Sequence, residues 1–172
     1  MKFYSIDNAY IDFLKNFDNK VPNHSGQNYT YKKPYVGIVL DINGILFLAP
    51  LSSHKEKHDR IDDNSITAFK IRPLDNNQKN EHEKLGIISL ANMIPITLGV
   101  INEIDFTKEE TKYRSLLHKQ LNYINKHEIE IKNKAERLFK HVHENPRRDG
   151  FICKISCNFP ILIQNYISYE KK

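Results

Sequence analysis

Residues 35–53 read YVGIVLDINGILFLAPLSS and predict the centre of the fold. The β-branched run Tyr35–Ile42 favours a strand. The pair Asn43-Gly44 is the strongest short-range hairpin signal, because both central positions of a type I′ turn need positive φ. A return strand is expected over 45–49 and is expected to end at Pro50, since proline lacks a backbone donor. This hairpin is the expected start of an antiparallel sheet.

Hydroxyl and cationic side chains crowd into the segment that follows the hairpin, which reads SSHKEKH over 52–58. A strand that ends in a polar loop is a common way for a rigid scaffold to present reactive groups. The alternative is an ordinary solvated loop, and a Ser-His-Lys cluster alone does not exclude it. The candidate residues are Ser52, Ser53, His54, Lys55, Lys57 and His58.

The rest of the chain predicts an α+β fold. Asp7 is expected to cap a first helix, and TKEE at 107–110 predicts a capping box that starts a second helix. Further helical stretches follow, and short apolar segments before 107 predict more strands. We expect a single compact domain over 1–172, in which helices pack against a strongly bent antiparallel sheet.

The composition favours a polyanionic partner. The formal net charge is +5 and the pI is near 9.1, although abundant Lys, Asn and Ile can also come from the base composition of the coding DNA. Nine Tyr and nine Phe supply rings for base stacking. The N-terminus MKFYSIDNAY does not resemble a signal peptide, and the apolar runs are too short to span a bilayer. A cytoplasmic protein with no membrane partner is expected.

Four blocks of sequence carry a resemblance to a known family. They are MKFYSIDNAYIDFLKNFDNKVPN at 1–23, GIVLDINGILFLAPLSS at 37–53 followed by Lys55, LGIISLANMIPI at 85–96 and HKQLNYI at 118–124. In this order they resemble the ToxN/AbiQ family, the endoribonuclease toxins of type III toxin–antitoxin systems, and the AbiQ branch looks close.

This resemblance implies a fold similar to the Kid/MazF toxins and RNA cleavage without a metal or other cofactor. It implies inhibition by a small repeat RNA antitoxin that folds as a pseudoknot and that the toxin trims from its own precursor. Cellular or phage mRNA would be the substrate, in abortive infection. A cyclic toxin–RNA assembly is one arrangement of such a complex.

The resemblance also implies site residues. Ser53 and Lys55 fall on the family's active-site serine and lysine, and Ser52 falls on its preceding hydroxyl. Tyr10 and Lys33 fall on groove positions, whereas Tyr29 is a looser match. His54 is a departure, because the family does not rely on a histidine there.

Elementary chemistry is consistent with these roles. Cleavage without a metal needs a base for the ribose 2′-hydroxyl, an acid for the leaving 5′-oxygen and donors for the phosphorane charge. The serines can donate to phosphate oxygens, and Lys33 and Lys55 can neutralise them. His54 or His58 is a possible base or acid. The base stays open among lysine, tyrosine, histidine and the RNA itself.

Other residues are predicted to bind RNA. Lys119 and Gln120 lie between the apolar positions Leu117 and Leu121 and are expected to face partly outward, although a plain polar helix face is an equal alternative. Tyr10 likewise has a core alternative, because it shares a helix face with Leu14. The predicted RNA-binding residues are Tyr29, Tyr31, Lys32, His54, Lys57, His58, Lys119 and Gln120.

No metal site is expected. His54 and His58 are four residues apart but lie in a predicted loop, and the spacing of His141, His143, Cys153 and Cys157 matches no common zinc finger. The alternatives to an endoribonuclease are a non-catalytic basic RNA-binding module or regulator and a zinc-stabilised interaction protein.

Overall fold

The computed structural model describes residues 1–23, 34–73 and 84–169, which contain seven strands and five helices. The strands are β1 (Lys2–Ile6), β2 (Tyr35–Ile42), β3 (Ile45–Ser52), β4 (Phe69–Ile71), β5 (Gly86–Ile88), β6 (Ile94–Ile96) and β7 (Ile101–Glu103). The helices are α1 (Asn8–Lys15), α2 (Thr111–Lys126), α3 (Glu128–His143), α4 (Phe151–Ile155) and α5 (Phe159–Asn165).

All strand pairs of the sheet are antiparallel, in the order β4-β5-β3-β2-β1-β7, with β6 also paired to β3. The predicted α+β class with an antiparallel sheet is therefore confirmed. The β2–β3 hairpin is also confirmed, because Asn43 and Gly44 have φ of 52° and 82°. Within the described ranges, no helix is both long and apolar enough to cross a bilayer.

Strand β3 is the centre of the sheet, since it pairs with β2 on one edge and with both β6 and β5 on the other. The expectation that this strand ends at Pro50 is wrong. Proline lacks a donor but keeps its carbonyl, and the Pro50 carbonyl oxygen accepts a hydrogen bond of 3.0 Å from the Ser89 backbone. The strand therefore continues, and Ser52 is its last residue.

The helices cover the sheet with apolar side chains. Phe47 of β3 is completely buried, and its ring packs edge-to-face against Phe139 of α3 and Phe159 of α5, at centroid distances of 5.8 and 6.1 Å. Such aromatic contacts add to the gain from burying the rings. They attach α3 and α5 to β3 and make the strand a rigid support.

Two helix starts differ from the expectations. The prediction of a capping box at 107–110 is wrong. The Asp105 side chain instead accepts from the Thr107 backbone N–H at 3.0 Å and caps a 3₁₀ turn over Phe106–Lys108. Helix α2 begins later, at Thr111. The Asp105 carboxylate, two residues upstream, accepts from the Thr107 N–H that the Glu110 side chain was expected to bind. Helix α4 was not expected, because its five residues are too few to show helical periodicity.

Candidate active site

A groove of about 500 Å³ lies beside the end of β3. Of the described residues, none that lines it carries a carboxylate, so its charged lining is cationic. The polar side chains are Ser52, Lys55, Lys57, His58, Thr67, Ser89 and Asn92, and the apolar ones are Pro22, Pro50, Ile61, Ala68, Ile87, Ala91 and Ile155.

Glycine at position 86 lets β5 approach β3 closely at the edge of this groove. Ser52 pairs with Ile87, and a Cβ added at Gly86 would lie 2.7 Å from the Ser52 carbonyl oxygen. The Gly86 φ of 156° is also one that L residues rarely adopt. Any side chain at position 86 would therefore push against the backbone of Ser52.

His58 fixes the loop that follows Ser52. Its backbone N–H donates to the Lys55 carbonyl oxygen at 2.8 Å, and its Nδ1 accepts from the Lys55 N–H at 3.1 Å. Burial lowers the pKa of His58, and the nearby charges of Lys57, His54 and Lys55 lower it further. The imidazole is thus held neutral, and acceptance at Nδ1 assigns its proton to Nε2.

His54 belongs to a different network. Its Nε2 lies 2.9 Å from Oδ1 of Asp59, whose other oxygen accepts from Lys84 at 2.8 Å. The hydrogen bond from Lys84, followed by that from His54, lowers the pKa of Asp59 to about 2. His54 lines a small cavity of about 30 Å³ with these partners and does not line the groove.

The structure brings four of the predicted site residues together along the groove: Ser52, Lys55, Lys57 and His58. Ser53 is exposed immediately after Ser52 but is not part of the lining. The predictions for Tyr29, Tyr31, Lys32 and Lys33 fall outside the described residues and stay predictions.

Tyr10 lies in the core. Its side chain is completely buried, and its hydroxyl donates to the Pro95 carbonyl oxygen at 2.7 Å. Burial raises the pKa of the phenol well above its ordinary value. This placement agrees with the core alternative, while a direct role for Tyr10 in the reaction stays a prediction.

The expected outward orientation of Gln120 is wrong. The side chain is buried, and its Nε2 donates to the Leu85 carbonyl oxygen at 2.7 Å. This hydrogen bond connects α2 to the residue that precedes β5. Lys119 is exposed, as expected. Among the described residues that line the groove, none comes from α2, and the predicted RNA contact of Lys119 stays a prediction.

Ser89 and Asn92 line the groove and were not anticipated. Ser89 donates to Oδ1 of Asn92 at 2.7 Å, and Nδ2 of Asn92 donates to the Lys20 carbonyl oxygen at 3.0 Å. The one signal in the sequence is that these two polar residues interrupt the apolar run LGIISLANMIPI.

The described residues contain no group of three or more His, Cys, Asp or Glu side chains placed to hold a metal ion. Cys153 and Cys157 are both buried free thiols. Burial raises the pKa of Cys157, with a smaller contribution from the Asp18 carboxylate. Cys157 is therefore held in its protonated form within the core.

Residues 2–167 match the model of a protein family described as toxin ToxN of type III toxin–antitoxin systems. The chain belongs to the ToxN family. It is 36% identical to the endoribonuclease ToxN of Pectobacterium atrosepticum, over all of this chain and 95% of that protein. It is 29% identical to the endoribonuclease AbiQ of Lactococcus lactis, over all of this chain and 91% of that protein. Of these two relatives, ToxN shares more identity with the chain than AbiQ does.

Solved structures of the ToxN family share this fold. One, from work on a processed non-coding RNA that regulates a bacterial antiviral system, matches with a TM-score of 0.87 at 35% identity, over 99% of this chain and 100% of that one. The structure of AbiQ, described as a lactococcal anti-phage endoribonuclease, matches with a TM-score of 0.82 at 28% identity, over 99% and 98% of the two chains. A third, at 27% identity and a TM-score of 0.81 over the same shares, comes from work on toxin inhibition by a non-coding RNA pseudoknot.

Proposed function

We propose that this protein is a metal-independent, sequence-selective endoribonuclease toxin of a type III toxin–antitoxin system that acts in phage abortive infection. The observation that carries the proposal is the groove that Ser52 and Lys55 line together at the end of β3. It places a hydroxyl at the end of a strand and an ammonium group in the loop that follows, in a chain of the ToxN family.

The proposed reaction is a transesterification within the RNA. The ribose 2′-oxygen forms a bond to the adjacent phosphorus, the bond from phosphorus to the 5′-oxygen breaks, and a 2′,3′-cyclic phosphate remains. The proton leaves the 2′-hydroxyl for a base, and the departing 5′-oxygen gains a proton to become a 5′-hydroxyl. Donors fixed around the phosphate stabilise the charge that develops on it.

The groove residues fit the phosphate-binding part of this scheme. Lys55 and Lys57 supply positive charge without a competing carboxylate in the described lining, and Ser52 supplies a hydroxyl. Ser53 is the exposed neighbour that reaches a bound strand from the rim. Lys33 directly precedes Pro34, whose carbonyl oxygen accepts from the Leu51 N–H at 2.9 Å. Lys33 itself is proposed to neutralise a phosphate oxygen in the same way.

The proposed inhibitor is a repeat RNA that folds as a pseudoknot and lies along the groove, and the proposed substrates are cellular or phage mRNAs. The basic groove and the family support an RNA partner. Backbone phosphates would supply most of the affinity, and stacked, unpaired bases would select the cut site. A cyclic assembly of toxin and RNA is part of this proposal.

Incubation of the purified protein with RNA in excess chelator tests the proposal. We expect cleavage to persist, with 2′,3′-cyclic phosphate ends in the products. Ser53→Ala and Lys55→Ala are expected to lower the rate by about a hundredfold, the usual cost of one lost transition-state donor. Ser115→Ala is the matched control, because Ser115 is exposed on α2 and outside the groove.

The rival is a non-catalytic RNA-binding module with the same basic surface. It predicts binding of RNA without any new ends, with or without chelator. Cleavage that needs a divalent metal, or that is unchanged in both Ser53→Ala and Lys55→Ala, would contradict the proposed mechanism.

A further inference from the structure

Helix α4 presents an exposed apolar face at the end of the groove. Phe151 is 75% exposed and Ile155 is 38% exposed, and Ile155 is one of the residues that line the groove. Because residues four apart lie on the same face of a helix, Phe151 shares the face of the groove residue Ile155. Lys154 is exposed on the same short helix.

The position of this face is fixed by the groove wall behind it. The Arg148 guanidinium donates to the carbonyl oxygens of Cys153 and Ser156 at the end of α4. Directly after the helix, the Cys157 N–H donates to the Ala91 carbonyl oxygen at 2.7 Å, next to the groove residue Asn92. An anchored helix therefore holds the Phe151 ring in solvent.

The turn before α4 contains a residue with an unfavourable backbone conformation, Arg148. Its φ of 55° is in the left-handed region, which is unfavourable for a residue with a side chain. The hydrogen bonds from its guanidinium offset that cost. Strain of this kind persists only where the surrounding structure over-determines it, and it is concentrated at functional sites.

We propose that α4 is a base-stacking subsite for single-stranded RNA, in which Phe151 stacks on an unpaired base that flanks the cleaved phosphate and Lys154 contacts the adjacent backbone. This proposal rests on the proposed function, because the groove sets the path of the RNA. An exposed aromatic ring and an exposed lysine, on the helix that supplies a residue of a cationic groove, are the combination that binds single strands. One Phe and one Ile offer too little apolar area for a stable protein–protein interface.

The absence of tryptophan from the chain makes the test direct. Phe151→Trp introduces a single tryptophan, which can be excited selectively over the nine tyrosines and whose emission a stacked base quenches. We expect a mixed-sequence single-stranded RNA oligonucleotide to quench this variant in a saturable way. Leu98→Trp is the matched control, because Leu98 is 71% exposed and does not line the groove. Its emission is expected to change little.

A second pair of variants distinguishes stacking by the aromatic ring from a general contribution of apolar surface at position 151. Phe151→Leu is expected to weaken RNA binding, measured by anisotropy, by about tenfold, whereas Phe151→Tyr keeps the ring and stays near the parent affinity. Equal affinity in the Leu and Tyr variants, or equal quenching in the two Trp variants, overturns the subsite. Loss of self-association in Phe151→Leu with unchanged RNA affinity also overturns it and assigns the face to a second copy of the chain.

Failure of this inference is distinguishable from failure of the proposed function. If the parent protein cleaves RNA and Phe151→Leu matches it in binding and rate, only the subsite is wrong. If RNA quenches the emission of Phe151→Trp but the parent protein binds RNA without ever cleaving it, the subsite stands and the proposed endoribonuclease activity fails.

Discussion

The backbone N–H of Lys55 donates to Nδ1 of His58 across 3.1 Å, so a neutral imidazole fixes the loop that carries the candidate lysine. The histidine also lines the groove, although most of its side chain is buried. Sequence reasoning considered His58 as an acid or base. Its contacts indicate a positioning residue that acts through Lys55.

Substitution of His58 by asparagine or glutamine tests this positioning role. The Asn side-chain oxygen mimics Nδ1, whereas the longer Gln side chain reaches the Nε2 position. We therefore expect His58→Asn to keep most of the RNA-cleavage rate. His58→Gln is expected to lower kcat by about a hundredfold with a smaller change in KM, because misplacement of a catalytic group acts on the chemical step.

Circular dichroism and thermal unfolding check that both His58 variants fold. Equal cleavage rates in the Asn and Gln variants would show that the Nδ1 hydrogen bond does not position Lys55. A loss of activity in both variants with fully retained folding would instead favour a direct role for the imidazole.

The lowered pKa of His58 also makes stability depend on pH. The folded pKa lies below the ordinary value of 6.5, so the unfolded chain takes up a proton first as the pH falls. The contribution of this histidine is thus complete above 6.5 and is lost as the pH falls from 6.5 towards the folded value. The neighbouring charges are Lys55, Lys57, His54 and Asp59.

Urea unfolding above and below pH 6.5 measures this effect. The parent protein is expected to lose more unfolding free energy over this interval than His58→Asn, which has no titrating group at that position. Parallel losses in the two proteins would mean that other groups account for the pH dependence.

The centre of the fold was predictable because its signals are local. Asn43-Gly44 fixes a turn by backbone sterics alone, and the β-branched run before it needs no distant partner to favour a strand. The end of β3 was not predictable, because continuation past Pro50 depends on Ser89, a residue far away in sequence whose N–H meets the Pro50 carbonyl.

The site was partly predictable for the same reason. Ser52, Lys55, Lys57 and His58 lie within one short segment, so any fold that exposes it brings them together. The orientation of Gln120 was misjudged, because helical periodicity shows which residues share a face of the helix but not which backbone carbonyl packs against that face. Here it is the Leu85 carbonyl oxygen that accepts from the Gln120 amide.

Removal of the Gln120 amide is expected to destabilise the fold rather than to weaken RNA binding directly. Gln120→Ala leaves the buried Leu85 carbonyl oxygen without this donor, at a cost of about 1–3 kcal/mol in the free energy of unfolding. Urea unfolding measures the loss, and Lys119→Ala is the matched exposed control. An unchanged unfolding free energy together with weaker RNA binding would restore Gln120 to the RNA interface.

Tyr10→Phe decides between the two roles weighed for Tyr10. Loss of the hydroxyl removes the donor to the Pro95 carbonyl oxygen and is expected to cost about 1 kcal/mol of stability in either case. The cleavage rate is then measured at a temperature where both proteins are folded. From its complete burial we expect an unchanged rate, and a loss of about a hundredfold would establish a catalytic role for the phenol.

The salt dependence of RNA affinity tests whether the groove lysines contact phosphates. A lysine that contacts a phosphate releases bound counterions, so the association constant for RNA falls as the salt concentration rises. Loss of one such contact to a single strand makes the slope of the logarithm of this constant against the logarithm of salt concentration shallower by about 0.7. Lys57→Ala is expected to show this change and to weaken binding of all RNA sequences alike. Lys140→Ala is the matched control, because Lys140 is exposed on α3 and does not line the groove. Equal slopes for both variants would mean that RNA does not follow the groove, since Lys57 is part of its lining and Lys140 is not.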